Sequence, residues 1–344
     1  MPEESIPFFN KEEFLSLYYG YNIYNNSIHI INNEYKVILL PNCENLTIKD
    51  VENFMNIKNI FNFDLLCNNI ENIINAKKKR KELDDETITF FPSLLCFDLF
   101  FIYNSGHSND IILYLNSIRY SKLLKIKERF NNIYNPIKKN NKLSFNYILN
   151  ELYKDINEKI KSGFHNKLII NTIINLYQEI YTIPDYIYKC IINQCEHVAR
   201  IDNIELNEFK SKWNILFNNL KFLKTMENKN FVSELEENPS YKLGFSLGKF
   251  ECHWRDDREN LKNYIKHFTG NISRIIFSIE DVHKYYISLY ERLIRNKSFI
   301  NNNELNDLKN LLKLVNNSDF NKTNFILGYF SGQSHFEEKK EINN

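Results

Sequence analysis

Glu251-Cys252-His253-Trp254-Arg255-Asp256-Asp257 gathers an acid, a thiol, an imidazole and a guanidinium in one short segment. A nucleophile and its base must come within hydrogen-bond reach of each other. Adjacent residues on a helix, such as Cys252 and His253, point about 100° apart, so this segment does not read as a catalytic pair. Cys195-Glu196-His197 has the same geometry. No H-E-x-x-H zinc motif, G-x-x-x-x-G-K-[ST] phosphate loop or G-x-S-x-G elbow occurs. His267, His283 and His335 are isolated and read as polar or capping residues. The six cysteines, Cys43, Cys67, Cys96, Cys190, Cys195 and Cys252, form no C-x-x-C pair. They read as reduced thiols of a cytoplasmic protein. The expectation is a non-enzymatic protein with no catalytic residues, metal site or cofactor.

The cations offer a different chemistry. Arg255, Arg258, Lys262 and Lys266 follow at spacings of three, four and four, along one helix face, with Lys249 nearby. Such a row matches a phosphate backbone. Asp256, Asp257 and Glu259 share the segment, and salt bridges between residues four apart explain the row equally well. Between Arg119 and Lys142, a run of cations that includes Arg119, Lys122, Lys125 and Arg129 faces a single acid, Glu128. Tyr120, Phe130 and Tyr134 are interleaved with them. That mixture fits either a surface tracking single-stranded nucleic acid or an exposed helix with its aromatics in the core. Lys77-Lys78-Lys79-Arg80-Lys81, followed at once by acids, reads as a solvated loop or a phosphate-contacting one. The net charge of +1 argues against a nucleic-acid binder that works alone. It leaves room for a local basic face.

The elements that position these residues are mainly helical. With 344 residues, 43% of them hydrophobic, the chain has material for roughly two domains. Residues 1–140 read as a small α+β region. Ser27–Ile31 and Glu34–Leu40 flank Asn32-Asn33 as a two-residue hairpin. Thr47, with Asp50 three residues on, predicts a helix cap. The apolar run Thr87–Tyr103 contains Pro92 and Asp98 and is shorter than the ~20 residues of a spanning helix, so it reads as buried core. The N-terminus lacks the basic and apolar regions of a signal peptide.

Residues 141–226 form a helical middle region, with helices predicted over Lys142–Lys161, Lys167–Tyr181, Pro184–Arg200 and Glu205–Lys224. Glu227–Pro239 reads as a linker. Residues 240–340 predict a four-helix bundle. Its first helix runs from Pro239 to Gly270-Asn271, and Ser278-Ile279-Glu280-Asp281 opens the second with a capping box. A third carries Leu305, Leu308, Leu311, Leu312 and Val315, and the last starts near Lys322.

Two segments of this bundle echo each other. Leu243-Gly244-Phe245-Ser246-Leu247-Gly248 and Leu327-Gly328-Tyr329-Phe330-Ser331-Gly332 each place two glycines four apart on one helix face. Glycine inside a helix costs about 1 kcal/mol relative to alanine. Four such positions predict close backbone-to-backbone packing of the first and last bundle helices.

The same segments carry a resemblance. Asn238-Pro239-Ser240-Tyr241-Lys242-Leu243-Gly244 with Leu247-Gly248, and Phe325-Ile326-Leu327-Gly328-Tyr329-Phe330-Ser331-Gly332-Gln333, resemble two segments of the large subunit of type I CRISPR interference (Cascade) complexes, most like the type I-C variety. Ile183-Pro184-Asp185-Tyr186-Ile187 and Ile192–Arg200 are similar to upstream helices of that family. The resemblance covers roughly residues 170–340. Phe245 stands where the family usually has Arg, and Ser331-Gly332 where it has His. No residue matches the family's reading of the protospacer-adjacent motif. The resemblance implies a non-catalytic, DNA- and RNA-binding subunit in antiviral defense. Its partners would be CRISPR RNA, target double-stranded DNA, Cascade backbone subunits and a helicase–nuclease, with no membrane. Lys249, Arg255, Arg258, Lys262, Lys266, Arg119, Lys122 and Lys125 are the expected backbone contacts. The alternative is a helical protein–protein adaptor without a nucleic-acid role.

Overall fold

The computed structural model describes residues 10–25, 28–29, 35–42, 49–50, 62–80, 92–104, 106, 108–134, 149, 152, 162–178, 185–201, 206–252, 259–298 and 300–335. The fold is mainly α, with one small antiparallel sheet. The chain divides into two compact units, Met1–Asn150 with Asn166–Ile180 and Glu151–His165 with Tyr181–Asn344.

The first unit holds helix α1 (Lys11–Asn25), strands β1 (Ile28–His29) and β2 (Tyr35–Asn42), helix α2 (Phe63–Arg80), strands β3 (Cys96–Asn104) and β4 (Asn109–Arg119), and helix α3 (Tyr120–Tyr134). Most of α4 (Ser162–Tyr177) also belongs to it. The strands pair antiparallel in the order β1-β2-β3-β4. Ile28 faces Val37 and His29 faces Lys36, the register a two-residue turn at Asn32-Asn33 requires. Residues 30–34 themselves lie outside the described residues, as does Thr47.

Alternate residues of β2 and β3, Val37 and Leu39, then Phe97, Leu99 and Phe101, are buried, and on β4 Leu115 and Ile118 are buried three apart, across the irregularity opposite Asp98. The period of two on β2 and β3 is what one covered face requires. Of the apolar run Thr87–Tyr103, the described part is largely strand β3. Asp98 works on its outer side. Its Oδ2 accepts from the Tyr114 hydroxyl and from Asn42 Nδ2, each at 3.0 Å, and its Oδ1 accepts from the Ser117 N–H at 3.0 Å. Ser117 has φ 56°, and the β3–β4 register shifts between Phe97 and Leu99. The carboxylate thus holds a bulge in place at a residue that disfavours its own backbone conformation.

The basic cluster is not a loop. Lys77, Lys78, Lys79 and Arg80 form the last turn of α2, where cations complement the helix dipole. Lys77 turns inward, with Nζ 2.8 Å from Asp50 Oδ2 and both side chains almost wholly buried. Lys81 lies outside the described residues.

The second unit is built from α5 (Tyr186–Arg200), α6 (Leu206–Glu227), α7 (Phe231–Glu237), α8 (Pro239–Cys252), α9 (Glu259–Ile275), α10 (Ile279–Arg295), α11 (Asn302–Leu314) and α12 (Lys322–Ser334). The expected linker at Glu227–Pro239 contains a short helix, α7, anchored by buried Leu235. The first bundle helix is described as two, α8 and α9, on either side of residues 253–258. Of the helix predicted over Lys142–Lys161 only Leu149 and Leu152 are described, both buried.

Asn238 opens α8. Its Oδ1 accepts from the N–H groups of Ser240 and Tyr241, at 3.0 and 3.3 Å, and Pro239 takes the first helical position, where no N–H is needed. Gly270-Asn271 kinks α9 without ending it. Asn271 has φ −134°, and the helix resumes to Ile275. The kink is held by α5, where Arg200 Nε donates to the Gly270 carbonyl and Glu196 Oε1 accepts from the Ser273 N–H at 2.6 Å.

The capping box at Ser278 is present as expected. Hydrogen bonds from the backbone N–H groups of Phe277 and Ser278 hold the Asp281 carboxyl below its ordinary value of 3.8. A depressed folded pKa contributes stability above the ordinary carboxylate range, and that contribution is lost as pH falls through the folded value. Acid unfolding should therefore steepen below about pH 4, and Asp281→Asn should flatten that limb. An acid limb identical in wild type and variant, followed by circular dichroism, would overturn this assignment.

Candidate functional site

Helices α8 and α12 meet through their glycines. A Cβ built on Gly244 would lie 2.0 Å from the Phe325 carbonyl oxygen, and one on Gly248 would lie 2.1 Å from that of Tyr329. From the other side, a Cβ on Gly328 would lie 2.1 Å from the Tyr241 oxygen, and one on Gly332 would lie 2.1 Å from that of Phe245. The four glycines interleave, so the two backbones touch over two turns. Residues Phe325–Ser334 of α12 are all buried, which makes α12 the central helix of this unit. That explains why it lacks an amphipathic pattern.

A buried polar network crosses this core. The Tyr329 hydroxyl donates to Glu251 Oε2. Gln333 Nε2 donates to Glu251 Oε2 at 3.1 Å and to the Tyr329 oxygen at 2.9 Å. Thr269 Oγ1 lies 2.8 Å from the Tyr329 oxygen, and the Tyr241 hydroxyl donates to Ser331 Oγ at 2.9 Å. Burial first, then the Glu251 charge, pushes the Tyr285 hydroxyl well above its ordinary pKa. Glu251, Tyr329, Gln333 and Thr269 are closed off from solvent. The network therefore sets how α8, α9 and α12 pack and presents no reacting atom to a substrate.

Among the described residues this unit also carries an open groove of about 770 Å³. Along α6 it is lined by Trp213, Phe217 and Lys221, along α8 by Lys242, Phe245 and Lys249, and along α11 by Glu304, Asp307 and Leu311. Each set repeats at three or four residues, so the groove runs with the helix axes for about two turns. Lys249 Nζ lies 3.7 Å from Glu304 Oε1 across it. Lys221 Nζ sits 4.5 Å from the centre of the Phe217 ring. Burial lowers the Lys221 pKa, with the Glu236 charge opposing that shift.

The eight expected backbone contacts fall in different settings. Lys262 is exposed and Lys266 half-buried, one turn apart on α9. Lys249 belongs to α8 and is engaged by Glu304 in the groove, so it does not extend that row. Arg255 and Arg258 lie outside the described residues, as do His253 and Trp254. In the first unit, Arg119 ends β4 and is exposed, and Lys125 is exposed on α3. Lys122 Nζ donates to the Tyr177 carbonyl.

The interleaved aromatics of this segment point inward. Tyr120, Phe130 and Tyr134 are buried, with Phe130 packed 5.5 Å from Phe63 and 4.6 Å from Tyr134. They are core, and no base can stack on them. Burial raises the Cys67 thiol to about 11, which leaves it an inert core residue. Among the described residues no group of three or more His, Cys, Asp or Glu could hold a metal ion, and no helix is long and apolar enough to cross a membrane.

No protein-family model matches the chain, and no curated protein or solved structure matches it either.

Two features differ in the trace they leave in the residue order. The groove is assembled from stripes of α6, α8 and α11 together with Glu236 of α7 and Ser331, Ser334 and His335 at the end of α12, and no linear motif marks it. The Glu196–Arg200 brace on the α9 kink leaves a faint trace, an acid on the buried side of α5 beside Ile192, Cys195 and Ala199 with an arginine four residues on.

Proposed function

We propose that this protein is a non-catalytic helical subunit of a CRISPR RNA-guided DNA-binding assembly, working in the cytoplasm. One observation supports the reading above others. The two segments that resemble the Cascade large subunit, around Gly244-Gly248 and Gly328-Gly332, are the two halves of a single interface between α8 and α12. The residues carrying the resemblance are therefore those on which this architecture depends. In this role the protein reads backbone and shape while base pairing reads sequence. The exposed cations Lys262, Arg119 and Lys125, with Arg255, Arg258 and Lys266, are the contacts we assign to nucleic acid. Near-neutral net charge suits a subunit whose other surfaces meet protein.

The test is purification of the tagged protein from its host, with sequencing of any bound RNA. Recovery of repeat-derived CRISPR RNA with backbone subunits is expected, and protein free of RNA overturns the proposal. On the recovered assembly, Lys262→Glu with Lys266→Glu should weaken DNA binding and lower the salt slope by about 0.9 per lost phosphate contact. An unchanged slope removes this helix from the interface. A second reading, a protein–protein adaptor, is favoured by the Lys249–Glu304 pair and the groove it closes on. Purification without RNA but with a stoichiometric protein partner selects it.

A further inference from the structure

We infer that the groove between α6, α8 and α11 is a docking site for one amphipathic α-helix of a partner protein. This does not depend on the RNA-guided reading, since such a helix could belong to another subunit or to an unrelated partner.

Shape comes first. Trp213, Phe217 and Lys221 repeat every four residues on α6, and Lys242, Phe245 and Lys249 every three or four on α8. Eight residues of helix rise about 12 Å. A trough of that length, walled by helices running alongside it, fits two turns of a further helix.

Chemistry comes second. Floor and walls mix apolar side chains, Trp213, Phe217, Phe245 and Leu311, with the buried Ser331 and Ser334 of α12. An amphipathic helix meets such a floor with residues at i, i+3, i+4 and i+7.

Charge decides the occupant. The lining holds three lysines, Lys221, Lys242 and Lys249, with His335, and three carboxylates, Glu236, Glu304 and Asp307, of which Lys249 and Glu304 already pair with each other at 3.7 Å. A polyanion would meet as much repulsion as attraction there, whereas a helix with acids on one flank and bases on the other meets complementary partners on both. Lys242 on α8 and Asp307 on α11 are exposed at the lips. They are the positions where an acid and a base of the incoming helix would land.

The experiment uses the full chain. A display library of 14-residue helices, apolar at i, i+3, i+4 and i+7 with flanks drawn from Glu, Lys, Gln and Ser, is selected against it. Enriched peptides should carry Glu on one flank and Lys on the other. Their affinity, read by fluorescence anisotropy, should fall at least tenfold with Ser246→Arg, which fills the trough. Asp307→Lys changes only an exposed lip, so it keeps the test valid if Ser246→Arg fails to fold. Selection against it should exchange Lys for Glu on the flank facing α11. Failure to enrich any helix, or affinities indifferent to both variants, overturns the inference. So does tight binding of labelled 20-nucleotide oligo(dT) that Ser246→Arg abolishes, since the groove would then be a nucleic-acid site.

Discussion

Replacing Gly248 or Gly328 with valine is expected to abolish the folded second unit, and alanine at either position to destabilise it by about 3 kcal/mol, the upper end for overpacking. A Cβ at these positions would lie 2.1 Å from a backbone carbonyl oxygen of the facing helix. Carbonyls cannot swing aside as flexible side chains do, so α8 and α12 would have to separate along their length. Separation would also pull apart the network linking Glu251, Tyr329 and Gln333, which spans the two helices. A half-satisfied buried network is worse than an apolar one.

Gly20 supplies the contrast. It lies in α1, where an added Cβ would meet nothing within 4 Å, so Gly20→Ala should leave stability unchanged or raise it by up to about 1 kcal/mol. Urea unfolding followed by far-ultraviolet circular dichroism separates the cases. A Gly248→Ala protein that unfolds with the wild-type midpoint would refute the backbone contact.

Asp50→Ala should destabilise the first unit by about 3–5 kcal/mol, the range for removing one partner of a buried pair. Asp50 is fully buried, 2.8 Å from Lys77 Nζ and 3.4 Å from Arg80 Nη2. Its loss leaves the ammonium of Lys77 inside the protein without that carboxylate. The double variant Asp50→Leu with Lys77→Met should recover most of the loss, because apolar groups of similar size carry no desolvation cost. The same urea titration reads both. If the double variant is no more stable than Asp50→Ala, the penalty does not come from a stranded charge.

The glycine contact and the buried ion pair differ in how legible they are in the residue order. Glycine is conspicuous inside a helix because it is unfavourable there, so two pairs at matching spacing imply a compensating contact from the sequence alone. The Asn238-Pro239 start and the Ser278 capping box are equally visible, since caps involve neighbours a few residues apart. The hairpin register follows from Asn32-Asn33 for the same reason.

Charge is the least legible property. Lys77 looks like its neighbours Lys78 and Lys79, yet it alone of the three is buried, because Asp50 approaches from a distant part of the chain. Lys122 and Lys249 look like free cations, yet a carbonyl and a carboxylate far along the chain engage them. The aromatics of Arg119–Lys142 fit two readings until the packing of Phe130 on Phe63 chooses the core.

The sequence by itself therefore determined the mainly helical class, the caps and the α8–α12 contact, all of which arise from local conformational preference. Only the tertiary structure decided which cations pair with distant groups, where α9 bends, and that α6, α8 and α11 leave a groove beside α12. Those properties depend on partners distant in the chain, and desolvation, which sets their energies, has no local signature in the residue order.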